Sequence, residues 1–235
     1  MEYTNLREKV CDANKEISRQ GLAILTWGNV SGIDRTNEVM AIKPSGVDYK
    51  DLSPEHIVIV SLTTGYVVDG ELHPSSDTKT HLELYSHFHQ IESVVHTHSH
   101  FATAWAQAEK EITCLGTTHA DHFFETIPMT RALRPYEIAD GYEKMTGQVI
   151  VERFTKSGID PNYMPGVLVR GHGPFSWGKT IQIAVENAVI LEEVARLAFD
   201  TLRLNPDSEP LSNALLEKHF QRKHGKDASY GQISS

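Results

Sequence analysis

The sequence is poor in cysteine and in long apolar runs, and each shortage excludes a class of protein. Only Cys11 and Cys114 occur among 235 residues. Two cysteines are too few for a disulfide framework, so a reducing cytoplasm is the expected compartment. No apolar run approaches the ~18 residues of a membrane span. The N-terminal segment MEYTNLREKV also lacks the apolar core of a signal peptide, and no membrane partner is expected.

Positive charge is also in deficit, since the formal net charge is −9. This balance argues against nucleic acid or an anionic lipid surface as the main partner. It further implies that a phosphate substrate would have to be captured by local donors. Nucleotide motifs are absent as well, because the chain has neither GxGxxG after a strand nor GxxxxGK[ST].

The remaining composition, 40% hydrophobic and 23% charged, is that of a globular protein with an ample core. No repeat or linker divides the chain, so a single domain over residues 1–235 is expected. Close spacing of the early strands favours an antiparallel meander. The predicted fold is an α/β sandwich, a mostly antiparallel central sheet with helices on both faces. Hydrophobic periodicity predicts helices over residues 6–17, 78–88, 101–108, 147–158, 181–204 and 215–223, and strands over residues 33–34, 39–42, 57–62, 93–97 and 167–170.

Histidine is abundant, with thirteen residues, and the pair His96 and His98 is the strongest motif. Side chains at i and i+2 of a strand project from the same face, so both imidazoles can bind one ion. An isolated H-x-H pair is more often an ordinary polar pair at a strand end. Val94 and Val95 before it indicate a buried strand that would hold the ligands rigidly.

A third histidine, His172, follows the apolar run Val167–Val169 in a turn with glycine on both sides. Flanking glycines allow close backbone approach and reorient the imidazole, although a turn histidine can equally face water. Three imidazoles without a nearby cysteine are typical of catalytic zinc rather than structural zinc. Asp77 could add a carboxylate, or could instead be the N-cap of the helix that follows it. The donor set suits Zn²⁺, Mn²⁺ or Co²⁺.

Three short segments have the composition of anion-binding turns. They are TWGNVS from Thr26, KPSG from Lys43 and PSS from Pro74. The last precedes a predicted helix, where free N–H groups and the helix dipole favour phosphate. Each segment alone is more typical of an ordinary turn, and their presence together with a predicted metal site favours a binding role.

On these residues the chain resembles the class II aldolase/L-ribulose-5-phosphate 4-epimerase family over about residues 6–232. The motifs include LTWGNVS, IKPSGVDY, PSSDT, VVHTHS, GTTHAD, HGPFSWG and KHGKDASYGQ. TTHAD and the last motif indicate the epimerase branch. The resemblance implies a class II aldolase-like fold, a homotetramer with interfacial active sites and a phosphorylated ketopentose substrate. It implies metal ligands at Asp77, His96, His98 and His172, substrate contacts at Gly28, Asn29, Lys43, Ser45, Gly46, Ser75 and Ser76, and proton transfer by Asp121 and Tyr230.

The implied reaction interconverts L-ribulose 5-phosphate and D-xylulose 5-phosphate by cleavage and re-formation of the C3–C4 bond. Tyr230 would belong to a C-terminal tail, residues about 225–235, that contributes to the active site. The alternatives are an aldolase that releases its aldehyde and a non-enzymatic metal-binding module, which would need the histidines but not Asp121 or Tyr230. Which sugar pathway supplies the substrate stays open.

Overall fold

A computed structural model describes residues 3–225 of the chain. Within that range the chain forms a seven-stranded sheet, eight α-helices and a short 3-10 helix. The strands are β1 Asn29–Asp34, β2 Val39–Ile42, β3 Val58–Ser61, β4 Val67–Asp69, β5 Ser93–His96, β6 Gly166–Val169 and β7 Gly173–Gly178. The helices are α1 Thr4–Arg19, α2 Thr78–His87, α3 His100–Gln107, α4 Thr117–Ala120, α5 Pro135–Ala139, α6 Tyr142–Ser157, α7 Ile181–Leu204 and α8 Asn213–His224, and Pro54–His56 is the 3-10 helix.

The sheet has the strand order β4-β3-β2-β1-β5-β7-β6, and all six pairs of neighbouring strands are antiparallel. Strands β1 to β4 follow one another along the chain and across the sheet, so the predicted meander is confirmed. Strand β5 lies between β1 and β7 and is therefore an interior strand. Pairing on both edges holds its backbone rigidly up to its last residue, His96.

Helices cover both faces of the sheet, as predicted. Successive residues of a strand point to opposite faces. In β2, Met40 and Ile42 belong to the core that packs against α2, α3 and α6, whereas Val39 and Ala41 pack against α1. Helix α7 contributes to the cores of both faces, through Leu191 on one side and Ala184 on the other. The sheet is thus buried between two helical layers.

The fold contains elements that the sequence did not predict, namely β4, β7, α4, α5 and the 3-10 helix, and β1 begins at Asn29 rather than Ile33. Strand β7 was not predicted, because Gly173, Pro174 and Gly178 are residues typical of a turn. Helix α6 begins at Tyr142 rather than Gly147. A Cβ on Gly147 would lie 2.6 Å from the Cβ of Glu83 in α2, so this glycine permits close helix packing instead of starting a helix.

Other expectations hold. Helix α7 has the predicted bounds, and the Thr180 side chain caps its N-terminus by accepting a hydrogen bond from Ile183 N–H. Cys11 and Cys114 are buried and unpaired, consistent with the absence of a disulfide framework. Over residues 3–225, no helix is both long and apolar enough to span a bilayer.

Candidate metal and substrate site

The central strand β5 ends at His96, and His98 follows two residues later. The predicted strand was therefore one residue too long, but the i, i+2 relationship still brings the rings together. Their centroids lie 4.9 Å apart, and their Nε2 atoms are separated by 3.2 Å. Two nitrogens bound to a tetrahedral ion at ~2.0–2.1 Å would be roughly 3.3 Å apart. The spacing thus suits two ligands of one metal.

His172 joins this pair from the turn between β6 and β7. Its ring centroid lies 4.7 Å from that of His96 and 5.0 Å from that of His98. The turn needs both of its glycines. Gly171 has a φ of +70°, and a Cβ on Gly173 would lie 2.8 Å from the carbonyl oxygen of Thr97. One donor atom from each histidine falls within 4.8 Å of the other two.

Hydrogen bonds orient the imidazoles for this role. His96 Nδ1 lies 3.0 Å from the carbonyl oxygen of Pro174. A carbonyl can only accept, so Nδ1 carries the proton and Nε2 keeps a lone pair for a metal. His172 Nδ1 lies 3.2 Å from the hydroxyl of Tyr142. Burial lowers the pKa of His172 to about 3 and also lowers the pKa of His98, so both are neutral ligands near neutrality. The three residues fit a divalent metal.

Asp77 stands at the N-cap position of α2, but its side chain makes no capping hydrogen bond. Its carboxylate instead turns to Asn29, whose Nδ2 donates to Oδ2 at 2.7 Å. Burial alone would raise the pKa of Asp77, but His96 and His81 together with the Asn29 hydrogen bond outweigh it and lower the pKa. Asp77 is therefore an anion facing the imidazoles. In the part of the chain described, its oxygens do not belong to the set of donors within 4.8 Å.

The two serine-containing turns lie against each other beside this cluster. Pro44 and Pro74 form an isolated antiparallel bridge, and Ser75 N–H donates to the carbonyl of Lys43 at 3.0 Å. Asn29 Nδ2 lies 3.1 Å from Ser75 Oγ. Turns separated by thirty residues of sequence therefore form one surface next to the histidines.

Lys43 is the cation of this surface. Its side chain is only 2% exposed, and its ammonium lies 4.9 Å from the ring centroid of Tyr49. Its one hydrogen bond among the described residues goes to the carbonyl of Pro44 at 3.3 Å. Burial lowers the pKa of Lys43 to about 8. A buried ammonium with no carboxylate within ion-pair distance in residues 3–225 is well suited to receive an anionic ligand.

All predicted metal and substrate residues line one cavity of about 470 Å³. Sequence reasoning missed Tyr142 and Glu143, which enter it from the start of α6. No local motif marks them, because the packing of α6 on α2 brings them there. A larger groove of about 1170 Å³ between α1 and α7 contains none of the predicted residues.

Asp121 does not line the cavity and instead packs against α8. Arg222 donates to it through Nε at 3.1 Å and NH2 at 2.8 Å, and His219 Nδ1 lies 3.1 Å from Oδ1. Burial raises the pKa of Asp121, but these hydrogen bonds lower it by more, so Asp121 is an anion. The structure of one chain therefore does not bring Asp121 to the three histidines. Tyr230 lies outside the described residues.

The fold is that of the class II aldolases. The family model described as Class II Aldolase and Adducin N-terminal domain matches residues 8–199. The chain belongs to this family, and the resemblance found in the sequence is confirmed.

Two similar proteins carry the same enzyme name. The chain is 51% identical to the L-ribulose-5-phosphate 4-epimerase UlaF of Salmonella paratyphi A (strain ATCC 9150 / SARB42), over 97% of this chain and 98% of the relative. It is 50% identical to the protein of the same name from Salmonella choleraesuis (strain SC-B67), with the same coverage. Both relatives are similar to this chain over nearly their whole length.

Solved structures confirm the fold. An L-fuculose 1-phosphate aldolase superimposes with a TM-score of 0.78 at 21% identity, covering 94% of this chain and 97% of that one. YgbL from Klebsiella pneumoniae, described as a putative aldolase/epimerase/decarboxylase, gives a TM-score of 0.71 at 24% identity, covering 93% and 99%. At such identities the similarity establishes the architecture.

Proposed function

We propose that the protein is a metal-dependent L-ribulose-5-phosphate 4-epimerase, which interconverts L-ribulose 5-phosphate and D-xylulose 5-phosphate. The observation that carries the proposal is one cavity that combines three converging imidazoles with the buried cation of Lys43. A metal site beside an anion site suits a phosphorylated sugar with neighbouring oxygens. The relatives that are 51% identical and named for this reaction support the choice of substrate.

The reaction must invert C4, whose hydrogen is not acidic because no carbonyl is adjacent. Cleavage of the C3–C4 bond avoids this difficulty. A base takes the proton of the C4 hydroxyl, the C3–C4 electron pair moves toward the C2 carbonyl, and an enediolate and glycolaldehyde phosphate result. Rotation of the aldehyde and re-addition to its other face give the epimer. Each direction of the reaction requires one group that accepts a proton on cleavage and another that donates a proton on re-addition.

His96, His98 and His172 would hold the metal, and the Asp77 carboxylate would complete the donor set. A bound Zn²⁺ supplies Lewis-acid polarisation of the sugar carbonyl, and Mn²⁺ or Co²⁺ would suit the same donors. The fixed orientation of His96 by Pro174 supports this assignment, because it leaves Nε2 directed into the cavity.

Lys43, Ser45, Gly46, Ser75 and Ser76 would bind the phosphate, and Gly28 and Asn29 would contact the sugar. Helix α2 begins at Thr78, two residues after Ser76, and adds the positive end of a helix dipole. Lys43 supplies charge where the net charge of the protein would repel the substrate. Glycolaldehyde phosphate, held by its phosphate, could then rotate without leaving.

Asp121 and Tyr230 are the proposed proton-transfer groups for the two faces of the aldehyde. The position of Asp121 outside the cavity is consistent with an active site completed by a neighbouring subunit of a homotetramer, to which the tail from about residue 225 would contribute. Trp27 lines the cavity and is 52% exposed, and Ile24 and Leu25, shortly before it in the chain, are 59% and 65% exposed. Exposed apolar side chains of this kind suit a subunit contact. A reducing cytoplasm is the proposed compartment.

The decisive test incubates Zn²⁺-loaded protein with L-ribulose 5-phosphate and measures D-xylulose 5-phosphate. We expect an equilibrium mixture of the two epimers without accumulation of glycolaldehyde phosphate. Net release of the aldehyde would instead identify an aldolase. Tight metal binding without turnover of any sugar phosphate would identify a non-enzymatic metal-binding module.

A further inference from the structure

Tyr49 ends the IKPSGVDY motif and has no part in the proposed reaction. Its side chain is only 5% exposed and packs with Val30 and Val95 in the core beneath α1 and α7. Its hydroxyl lies 2.8 Å from the carbonyl oxygens of both Trp27 and Gly28. A carbonyl can only accept, so the hydroxyl donates and its proton is shared between the two acceptors. These bonds fix the ring against the turn that carries Gly28.

The face of this ring lies under the ammonium of Lys43. Lys43 Nζ is 4.9 Å from the ring centroid, within the ~6 Å over which an aromatic ring attracts a cation. Both partners are buried, whereas in the pair of Arg134 with Tyr136 the ring is exposed. Because the attraction is stronger where water is excluded, the Tyr49 ring is well placed to stabilise the charge of Lys43.

A ring suits an anion-binding lysine better than a carboxylate would. A carboxylate in contact with Lys43 would stabilise the ammonium but would also compete with a phosphate for it. An aromatic ring stabilises a cation through its quadrupole and carries no net charge. Asp48, which precedes Tyr49, is partly exposed and lies 3.9 Å from the exposed Lys50. The charge of Lys43 is therefore stabilised without being neutralised.

The ring and the ammonium are arranged in order from the core to the cavity. Of the described residues, Lys43 lines the 470 Å³ cavity and Tyr49 does not. The ring thus lies behind the ammonium, and an anion in the cavity meets Lys43 directly. A lysine side chain has many rotamers to lose on binding, and a fixed ring beneath the ammonium reduces that loss.

We propose that Tyr49 is a positioning residue for Lys43, whose ammonium its ring stabilises and orients toward a bound phosphate, while its hydroxyl anchors the ring to the Trp27 and Gly28 carbonyls. The inference rests on the phosphate site of the proposed function. It requires neither a bound metal nor the epimerase reaction.

Two substitutions separate the ring of Tyr49 from its hydroxyl. Tyr49→Phe keeps the ring and removes the anchor, whereas Tyr49→Leu removes both. The affinity of the metal-free, full-length protein for inorganic phosphate is measured by isothermal titration calorimetry. Tyr49→Leu is expected to weaken binding by about tenfold, and Tyr49→Phe by less than about threefold. In the background of Lys43→Met, Tyr49→Leu should cost less than about twofold more, because no ammonium remains for the ring to hold.

Tyr85→Phe is the matched control for the loss of a buried hydroxyl. Tyr85 is 2% exposed, and its hydroxyl lies 2.6 Å from Ser31 Oγ. Both Tyr→Phe variants should lower the midpoint of urea denaturation, but Tyr85→Phe should leave the phosphate affinity unchanged. Equal phosphate affinities of Tyr49→Leu and Tyr85→Phe, or additive losses in the double variant with Lys43→Met, would overturn the proposal and leave Tyr49 a packing residue.

A series of rings of similar shape keeps the proposal testable even if Tyr49→Leu does not fold. Phenylalanine and its monofluoro, difluoro and trifluoro derivatives are placed at position 49. Each fluorine withdraws electron density from the ring face and weakens the attraction for a cation. The phosphate affinity should fall stepwise with the number of fluorine atoms. An affinity independent of fluorination would contradict the proposal.

The measurements distinguish this inference from the proposed reaction, because none of them uses a sugar. A protein that shows the expected phosphate affinities and fails to interconvert the epimers would disprove the reaction and retain the role of Tyr49. If Lys43→Met bound phosphate as tightly as the unmodified protein, the phosphate site would be wrong and the role of Tyr49 would fall with it.

Discussion

Gly28 lies so close to His96 that a Cβ on the glycine would sit 2.6 Å from the His96 carbonyl oxygen, and its φ is +82°. Gly28→Ala combines left-handed backbone strain of about 1–2 kcal/mol with a clash of about 1–3 kcal/mol. We expect it to lower the free energy of unfolding by about 2–5 kcal/mol, measured by urea denaturation, and to weaken Zn²⁺ binding.

The matched control is Gly21→Ala, because Gly21 has a φ of +72° and nothing within 4 Å of its Cβ position. It should show only the backbone strain and leave Zn²⁺ binding unchanged. Equal destabilisation by both variants would mean that the close approach to His96 has no energetic role.

Metal removal should separate activity from folding. A chelator should abolish epimerisation, and added Zn²⁺ or Mn²⁺ should restore it, since His96, His98 and His172 would hold the ion. The far-UV circular dichroism of the chelated protein should be nearly unchanged, because the core of a chain this long does not depend on a metal. Full activity in protein shown by elemental analysis to be metal-free would contradict the proposed site.

Loss of the Lys43 charge should weaken capture of the phosphate. Lys43→Met should raise KM for L-ribulose 5-phosphate by about tenfold, which corresponds to ~1.4 kcal/mol, with kcat affected less. Lys50→Met is the control, since Lys50 is largely exposed. An unchanged KM would mean that backbone groups hold the phosphate without Lys43.

The pH dependence follows from the lowered pKa of Lys43, about 8. The free enzyme loses this charge as pH rises through about 8, so kcat/KM should fall there in the wild type and not in Lys43→Met. The effect of the same group on the free energy of unfolding should have the opposite sign. Between pH 8 and 10.5 the unfolded chain binds the proton that the folded chain has lost, so Lys43 makes the free energy of unfolding rise with pH.

Helix α3 depends on a carboxylate from α7. Glu192 accepts hydrogen bonds from the N–H groups of Phe101 and Ala102 at 2.8 and 2.9 Å, and the N-cap residue Ser99 makes no side-chain cap. Glu192→Ala should lower the free energy of unfolding by about 1–2 kcal/mol. Glu193→Ala, which removes an exposed pair with Arg196, should cost less than about 0.5 kcal/mol. Equal costs in urea denaturation would rule out the capping role.

The two proposed proton-transfer groups should have crossed effects. Asp121→Asn and Tyr230→Phe should each slow epimerisation in both directions, because every turnover uses both groups, and metal binding should persist. One variant should still cleave L-ribulose 5-phosphate and the other D-xylulose 5-phosphate, as detected by trapping glycolaldehyde phosphate. Equal loss of both cleavages in a folded, metal-bound variant would exclude one acid/base group per face.

The local hydrophobic pattern of the sequence was sufficient to predict much of the fold. The apolar repeat of residues 181–204 predicted α7 with its observed bounds, because a long amphipathic helix repeats the same signal many times. The close spacing of three short strands predicted an antiparallel meander, which the structure has in β1 to β3 and extends with β4. Strand β7 was missed because Gly173, Pro174 and Gly178 are typical of turns. The strand is stabilised by pairing with β5 and β6, and its own sequence does not reveal that pairing.

The sequence by itself determined which side chains could bind a metal and a phosphate, and it placed His96 beside His98 through the two-residue period of a strand. Only the tertiary structure decided that His172 meets them, since the pairing of His96 with Phe175 fixes the register of β5 and β7. It also decided that Tyr142 faces His172 and that Asp121 packs against Arg222. These contacts join residues far apart in the chain, and strand pairing and helix packing rather than local spacing bring them together.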